Sequence, residues 1–349
     1  MVLHHCWLQT WSIYTGGHWP SPEVLRWTGI FFYGHDAVDV FIVISGYSLM
    51  LPVLRNMGAF PGGAKRFYVK RFRRIVPPYL AALALSLLLI FTCIGTKTGT
   101  HWDISLPVTW RDIVAHVLLV QDVYHPGKIN GAMWSIAVEW HIYAWFPLLL
   151  WSWRKYSPWL TALVMLALAY AGQAVVGGTP YSVISPAYYF LFVLGMIAAS
   201  INFGNETMSN LSKAPWGIIT AALFAGFVIA CRLQSFEQIV QRQFGMDLLM
   251  GATAAALLVT AGLGQSSPVT RVLSTRRLAA VGTFSYSLYL VHAPIIQLVS
   301  QVLWRFVGRS ESLAMYVLQV LFTVPLCLLI AHRMYLLFEK PFLQTSKPS

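Results

Sequence analysis

Charge is scarce in this sequence: Asp, Glu, Lys and Arg make up 10% of its 349 residues, where an ordinary soluble domain carries roughly a quarter. The length would allow two or three soluble domains, but so few charged side chains cannot cover their surfaces. Acid is scarcer than base, 12 residues against 24. Cysteine is rarer still. Cys6, Cys93, Cys231 and Cys327 fall singly in or beside apolar runs. That pattern excludes a disulfide framework and a thiolate metal site, and reads as small hydrophobes in helices. No P-loop, GxGxxG or GxSxG pattern occurs, which argues against a P-loop, Rossmann or α/β-hydrolase site. There is no repeat of solenoid period and no low-complexity tract. The start shows neither a charged n-region nor a small-residue cleavage site, so no signal peptide is expected.

What the chain has instead is hydrophobic length. Apolar residues make up 57% of it and the mean hydropathy is +0.62. Crossing a bilayer core takes about 20 mostly apolar residues. Runs of that kind occupy 38–54, 78–94, 134–151, 159–176, 188–201, 216–230, 246–262, 285–303 and 314–337, with a shorter one at 1–14. The expectation is an all-α, polytopic transmembrane helical bundle of about ten spans. It fills residues 1–344, its first span is truncated, and a cytoplasmic tail follows at 345–349. The 14 tryptophans sit mostly near run ends, as interfacial belts place them. Threading ten spans with both termini in the cytoplasm puts most Lys and Arg in inner loops. The net charge of +12 then follows the positive-inside rule, and no nucleic acid is needed to explain it.

Two polar segments are long enough to do more than connect. The first, 55–76, is basic and has no acid. Within it Arg71 and Arg74, three apart, share a helical face just before a span. Guanidinium pairs suit bidentate contact with phosphate, while ordinary positive-inside charge is the plainer reading. The second, 95–131, falls on the opposite face and holds His101, Trp102, Asp103, Trp110, Asp112, His116, Asp122, His125 and Asn130. Its apolar stretch 113–120 predicts a short helix lying on the membrane or dipping into it. A last loop, 232–244, reads as a solvated connection.

Ionisable groups inside a membrane cost several kcal/mol and tend to mark function. Here they are His4, His5, Asp36, Asp39, Glu139, His141, Asp247, His292 and His332. Glu139 is either one half of an interhelical ion pair or a site carboxylate; His141, two residues on, points to another helix face. A histidine in a dry site makes a good general base for a hydroxyl, and a lone histidine also serves as an interhelical hydrogen-bonding group. Residue physics does not choose between His4 and His5. In SYSLYLVHAP, His292 either lines a polar cavity or packs.

Five blocks in order carry a resemblance: VDVFIVISGY at 38–47, KRFRRIVPPYL at 70–80, MWSIAVEWHIY at 133–143, GTFSYSLYLVHAP at 282–294 and FEKP at 338–341. Together they resemble the acyltransferase-3 membrane family, and within it the exopolysaccharide and O-antigen O-acetyltransferases of the succinoglycan acetyltransferase type. The resemblance covers nearly the whole chain. It implies a multi-pass enzyme of the bacterial inner membrane, with both termini cytoplasmic. Such an enzyme moves an acetyl or other short acyl group from cytoplasmic acyl-CoA to a hydroxyl of an envelope or exopolysaccharide sugar. No permanently bound cofactor and no metal is implied. The partners are the acyl-CoA donor, a lipid-linked or polymeric envelope glycan, and the bilayer.

The family's first helix carries an Arg, ten intervening residues and a His, and MVLHH aligns with its end. That makes His5 the catalytic histidine, as general base or transient acyl carrier, with His4 the alternative. It also places the Arg upstream of residue 1. Arg71 and Arg74 match the Arg-x-x-Arg pair, implied at the CoA phosphates. Glu139 matches the acidic position of Trp-Ser-x-x-x-Glu and is implied in catalysis, orienting His5 or binding acceptor hydroxyls. Ser45 and Tyr47 match Ser-Gly-Tyr/Phe, and His292 matches Tyr-Leu-x-His; all three are expected to line the cavity. Trp102 and Trp110 would offer a sugar a stacking platform. Two other readings are a flippase or transporter of an envelope precursor, which the absence of internal symmetry disfavours, and an inactive truncated homologue.

Overall fold

The computed structural model describes residues 1–13, 18–176, 187–204, 208, 210–233, 243–264 and 268–344. The tail at 345–349 and most of the loop at 232–244 lie outside the described residues. Eleven helices carry the argument: α1 (Val2–Thr10), α2 (Ala37–Arg55), α3 (Gly63–Leu89), α4 (Trp110–Val117), α5 (Trp134–Lys155), α6 (Pro158–Val176), α7 (Ala187–Phe203), α8 (Trp216–Leu233), α9 (Gln243–Gly262), α10 (Ser285–Val307) and α11 (Leu313–Met334). No strand occurs among the described residues.

Among the described residues seven helical stretches are long and apolar enough to cross a membrane: Pro22–Arg55, Gly63–Ile94, Pro158–Val175, Trp216–Leu233, Gln243–Gly262, Ser285–Val307 and Leu313–Leu343. The other three expected spans are helical too. The first, α1, has nine residues, and α7 is a shorter apolar helix of 17. At 22 residues α5 is long enough, but Glu139, His141 and its tryptophans dilute its apolarity. The chain is a polytopic helical membrane bundle. Its local sequence shows why the membrane decides this. In water, the β-branched run VDVFIVIS of α2 would read as a strand. In lipid a lone strand leaves every backbone N–H and C=O unmet, so the run is helical. The basic segment is helical as well: α3 starts at Gly63 and carries Lys65 to Arg74 before entering its apolar half. Gly62 just before it and Gly63 at its first position, at φ 75° and 81°, make the turn into the helix.

The chain divides into two compact units. The first comprises Met1–His35, Val69–Ala137 and Arg276–Ser349. In it α1 buries Cys6, Trp7, Leu8 and Trp11 against Ile296 of α10 and Tyr316 of α11, and the Trp7 indole donates to Thr28 Oγ1 at 3.2 Å. Several of the sequence blocks meet here through hydrogen bonds. Asn130 Nδ2 donates to Ser86 Oγ (3.1 Å) and Leu290 O (2.9 Å), Tyr289 OH to Ala132 O (2.6 Å), and Tyr286 OH to Ile75 O (3.1 Å). Ser287 Oγ donates to Glu339 Oε2 at 2.7 Å.

The polar loop of this unit is ordered around Asp112. Thr109 and Asp112 form a capping box at the start of α4, and Asp112 Oδ1 accepts from His125 Nδ1 at 2.8 Å. The helix α4 buries Asp112, Ala115 and His116 and exposes Trp110, Val114 and Val117, with Leu118 just beyond its end exposed as well. An apolar face turned outward suits lipid and not water. Burial pushes the Asp112 carboxyl up, but hydrogen bonds from Thr109 and His125 outweigh it and hold the group below its ordinary value. A depressed carboxyl stabilises the fold above its unfolded value and loses that contribution as pH falls through the folded one. Asp112→Asn should therefore lower the unfolding free energy at neutral pH by about 1–2 kcal/mol. The gap to wild type should close below roughly pH 4, as read by thermal unfolding in detergent.

The second unit comprises Asp36–Tyr68 and Val138–Thr275. Its axis is the close approach of α2 and α7. A Cβ at Gly46 would lie 2.0 Å from Phe192 O, and one at Gly195 would lie 2.0 Å from Val43 O. Small residues let membrane helices touch backbone to backbone. About two turns beyond Gly195, Asn202 Nδ2 donates to Tyr47 OH (2.9 Å) and Leu258 O (3.1 Å), tying α9 to the pair.

Candidate active site

In the first unit a pocket is lined by His5 and Gln9 of α1, by His101, Trp102 and Ser105 of the polar loop, and by Ala293 and Ile296 of α10. The spacing of α1 explains its half. His5 and Gln9 are four apart and share a face, while Trp7, Leu8 and Trp11 face the apolar core. The loop half is held from behind: the Trp102 indole donates to Ile94 O (3.4 Å) and Ser105 Oγ to Gly127 O (3.2 Å). Buried Gln9 and Gln297 are hydrogen-bonded to each other, and Gln297 Nε2 donates to Thr98 Oγ1 at 3.2 Å. Burial lowers the His101 imidazole below its ordinary value, so this ring is neutral at pH 7.

The structure separates the two adjacent histidines. His4 is buried, its Nδ1 bonded to Phe31 O at 2.7 Å, and its Cβ fits only because position 34 is Gly: a Cβ there would come within 2.2 Å. Among the described residues His5 has no side-chain hydrogen-bond partner, and it lines the pocket. Its ring centroid lies 5.0 Å from that of His292 and 5.9 Å from that of His101. His292 is fully buried, with Nδ1 on Tyr289 O at 2.5 Å.

The remaining sequence candidates fall elsewhere. Arg71 and Arg74 lie on α3, Arg74 exposed and with its charge reaching the Glu339 carboxylate. Glu139 belongs to the second unit and is 3% exposed. Its carboxylate accepts from Ser45 Oγ at 2.9 Å and from Tyr143 OH, and the two hydroxyls are 2.6 Å apart. Ser45 therefore hydrogen-bonds Glu139, and Tyr47 accepts from Asn202. Trp110 is 69% exposed, with Arg111 over its ring. Sequence reasoning gave no role to Tyr143, although its i, i+4 spacing from Glu139 was available. It gave none to Gln9 or Gln297 either, whose pairing joins positions 288 apart.

The second unit also gathers Asp36, Asp39 and Asp247, all buried, with one carboxylate oxygen from each within 4.8 Å of the others. Asp36 and Asp39 open α2 and Asp247 lies in the first turns of α9, where helix dipoles favour negative charge. Oxygen donors of this kind would suit a hard cation.

Residues 1–332 match the family model described as an acyltransferase domain, so the chain belongs to the acyltransferase-3 family. It is similar to the peptidoglycan O-acetyltransferase OatA of Listeria monocytogenes, 24% identical over 77% of this chain and 46% of that protein. It is also similar to a Staphylococcus aureus (strain COL) protein provisionally named an O-acetyltransferase, at 22% over 88% of this chain and 52% of that one. A third relative is a Bacillus subtilis protein, provisionally named peptidoglycan O-acetyltransferase YrhL, at 24% over 76% and 44%. The chain spans about half the length of these relatives. No solved structure matches it.

Proposed function

We propose that this chain is a membrane O-acyltransferase. It moves an acetyl or other short acyl group from cytoplasmic acyl-CoA to a hydroxyl of a cell-envelope carbohydrate, at the bacterial inner membrane with both termini in the cytoplasm. The observation that carries this reading is the pocket in which His5, without a hydrogen-bond partner among the described residues, meets His101, Trp102, Ser105 and Gln9. A ring with a nitrogen lone pair beside an aromatic face and polar side chains is suited to a sugar hydroxyl.

In the reaction His5 takes the proton of the acceptor hydroxyl as its oxygen attacks the thioester carbonyl. The carbon–sulfur bond then breaks, and the CoA thiolate leaves and recovers the proton from the imidazolium. The alternative route through an acyl-His5 intermediate uses the same ring as nucleophile. Arg71 and Arg74 are the proposed contacts for the CoA phosphates. Glu139, already holding two hydroxyls, is the proposed acceptor for further hydroxyls of the glycan. Two glycan classes suit this acceptor role, peptidoglycan as for the named relatives and an exopolysaccharide.

The test is transfer of label from acetyl-CoA to glycan in membranes carrying the chain. Incorporation that survives removal of lipid supports the reading, and no incorporation into any glycan overturns it. Trp102 belongs to the acceptor side of this scheme. Trp102→Ala should raise the acceptor KM about 10-fold or more, from the 1–3 kcal/mol that stacking on an aromatic face contributes, and leave acetyl-CoA binding unchanged. Equal loss of both would remove Trp102 from the acceptor site. Trp110, turned outward, should tolerate the same change.

A further inference from the structure

His292 holds a buried polar atom that the scheme above does not use. Its Nδ1 faces Tyr289 O at 2.5 Å. A carbonyl oxygen can only accept, so Nδ1 carries the proton and Nε2 is left as a lone-pair acceptor. That Nε2 is fully buried and has no hydrogen-bond partner among the described residues. An unmet buried acceptor costs about 1–3 kcal/mol, and such atoms are rare enough that each asks for a reason.

The neighbour that supplies one is His5. Its ring centre is 5.0 Å from that of His292, and it too has no hydrogen bond among the described residues. An imidazole nitrogen sits about 1.2 Å from its ring centre, so rotation about the soft χ2 of His5 can bring an N–H to Nε2 within hydrogen-bond range. Catalytic hydrogen bonds are often open before substrate arrives.

We infer that His292 is a positioning residue for His5: its Nε2 accepts the N–H of one His5 nitrogen and so fixes the other as the base that faces the pocket. This rests on the proposed acyl transfer. The pair does with a neutral imidazole what a carboxylate does in a Ser-His-Asp arrangement. The substitution makes physical sense inside a bilayer, where a second charge would cost several kcal/mol. The chain of fixing runs from the Tyr289 carbonyl, through His292, to the tautomer of His5.

The experiment compares His292→Gln with His292→Phe in purified full-length protein. It reads kcat, KM for acetyl-CoA and thermal unfolding. The glutamine carbonyl reaches where Nε2 lies and keeps the acceptor, whereas phenylalanine keeps the volume and loses it. The expected result is a kcat about 10- to 100-fold lower for Phe, an unchanged KM and most of the activity retained by Gln. Should His292→Phe fail to fold, His292→Asn replaces it. Its shorter amide can meet Tyr289 but not His5, so Asn should be slow where Gln is fast. Equal impairment of the acceptor-bearing and acceptor-free variants, or full activity without the acceptor, overturns the positioning role. So does activity lost in step with stability. Wild type and His5→Ala run alongside. If wild type transfers nothing, the acyltransferase reading fails and this role falls with it. If wild type is active, His5→Ala is dead and His292→Phe is fully active, the positioning role alone fails.

Discussion

His5→Ala should abolish acyl transfer, by about 10²- to 10⁴-fold if the ring acts as general base, while His4→Ala should leave a working but less stable enzyme. The two residues are adjacent in sequence and opposite in circumstance. His4 is bonded to Phe31 O and wedged against Gly34, so its removal leaves a cavity and an unmet carbonyl at a cost of about 1–3 kcal/mol. His5 has no hydrogen-bond partner among the described residues and lines the pocket, so its removal costs chemistry before structure. Proton NMR of O-acetyl groups on purified envelope glycan reads the difference. The strains are a deletion mutant and the same mutant carrying wild type, His4→Ala or His5→Ala. Restoration by His4→Ala and not by His5→Ala supports the assignment. The reverse pattern would move the catalytic role to His4.

The largest structural loss is expected from one added methyl. Gly195→Ala places a Cβ 2.0 Å from Val43 O and 2.7 Å from Tyr47 N. Both are backbone atoms of α2, so no rotamer change relieves them and the helices must part. Overpacking of this kind costs about 3 kcal/mol at the upper end of its range, and here it also pulls on the Tyr47–Asn202 hydrogen bond. Gly226→Ala in α8 is the control, since nothing lies within 4 Å of its new Cβ; it should be neutral or slightly stabilising. Thermal unfolding in detergent separates them. A Gly195→Ala protein as stable as wild type would mean that α2 and α7 do not touch as described.

Some family blocks turn out to be joints as much as sites. Gly46 of VDVFIVISGY is the contact of α2 with the Phe192 carbonyl. Ser287 of the SYSLYLVHAP block and Glu339 of FEKP meet in one hydrogen bond, with the Arg74 charge close by. A residue type required in such a place is legible as a motif, but whether it serves packing or chemistry is not.

The sequence by itself determined the class. Apolar runs of span length, few charges and a basic bias fix a polytopic helical membrane protein, because the bilayer permits little else for such a chain. It also narrowed the site to a handful of ionisable residues, because burying them in lipid is too costly to happen idly. Tertiary structure alone decided which of them lie together. Helical periodicity relates residues three or four apart, so it could pair Glu139 with Tyr143. It carries no information on partners far along the chain, such as His5 with His292 or Gln9 with Gln297. The difference between His4 and His5 is likewise made by Phe31, Gly34 and the polar loop, none of them on the same helix. Which neighbour a side chain meets depends on how helices pack, and packing is set by contacts that no local pattern records.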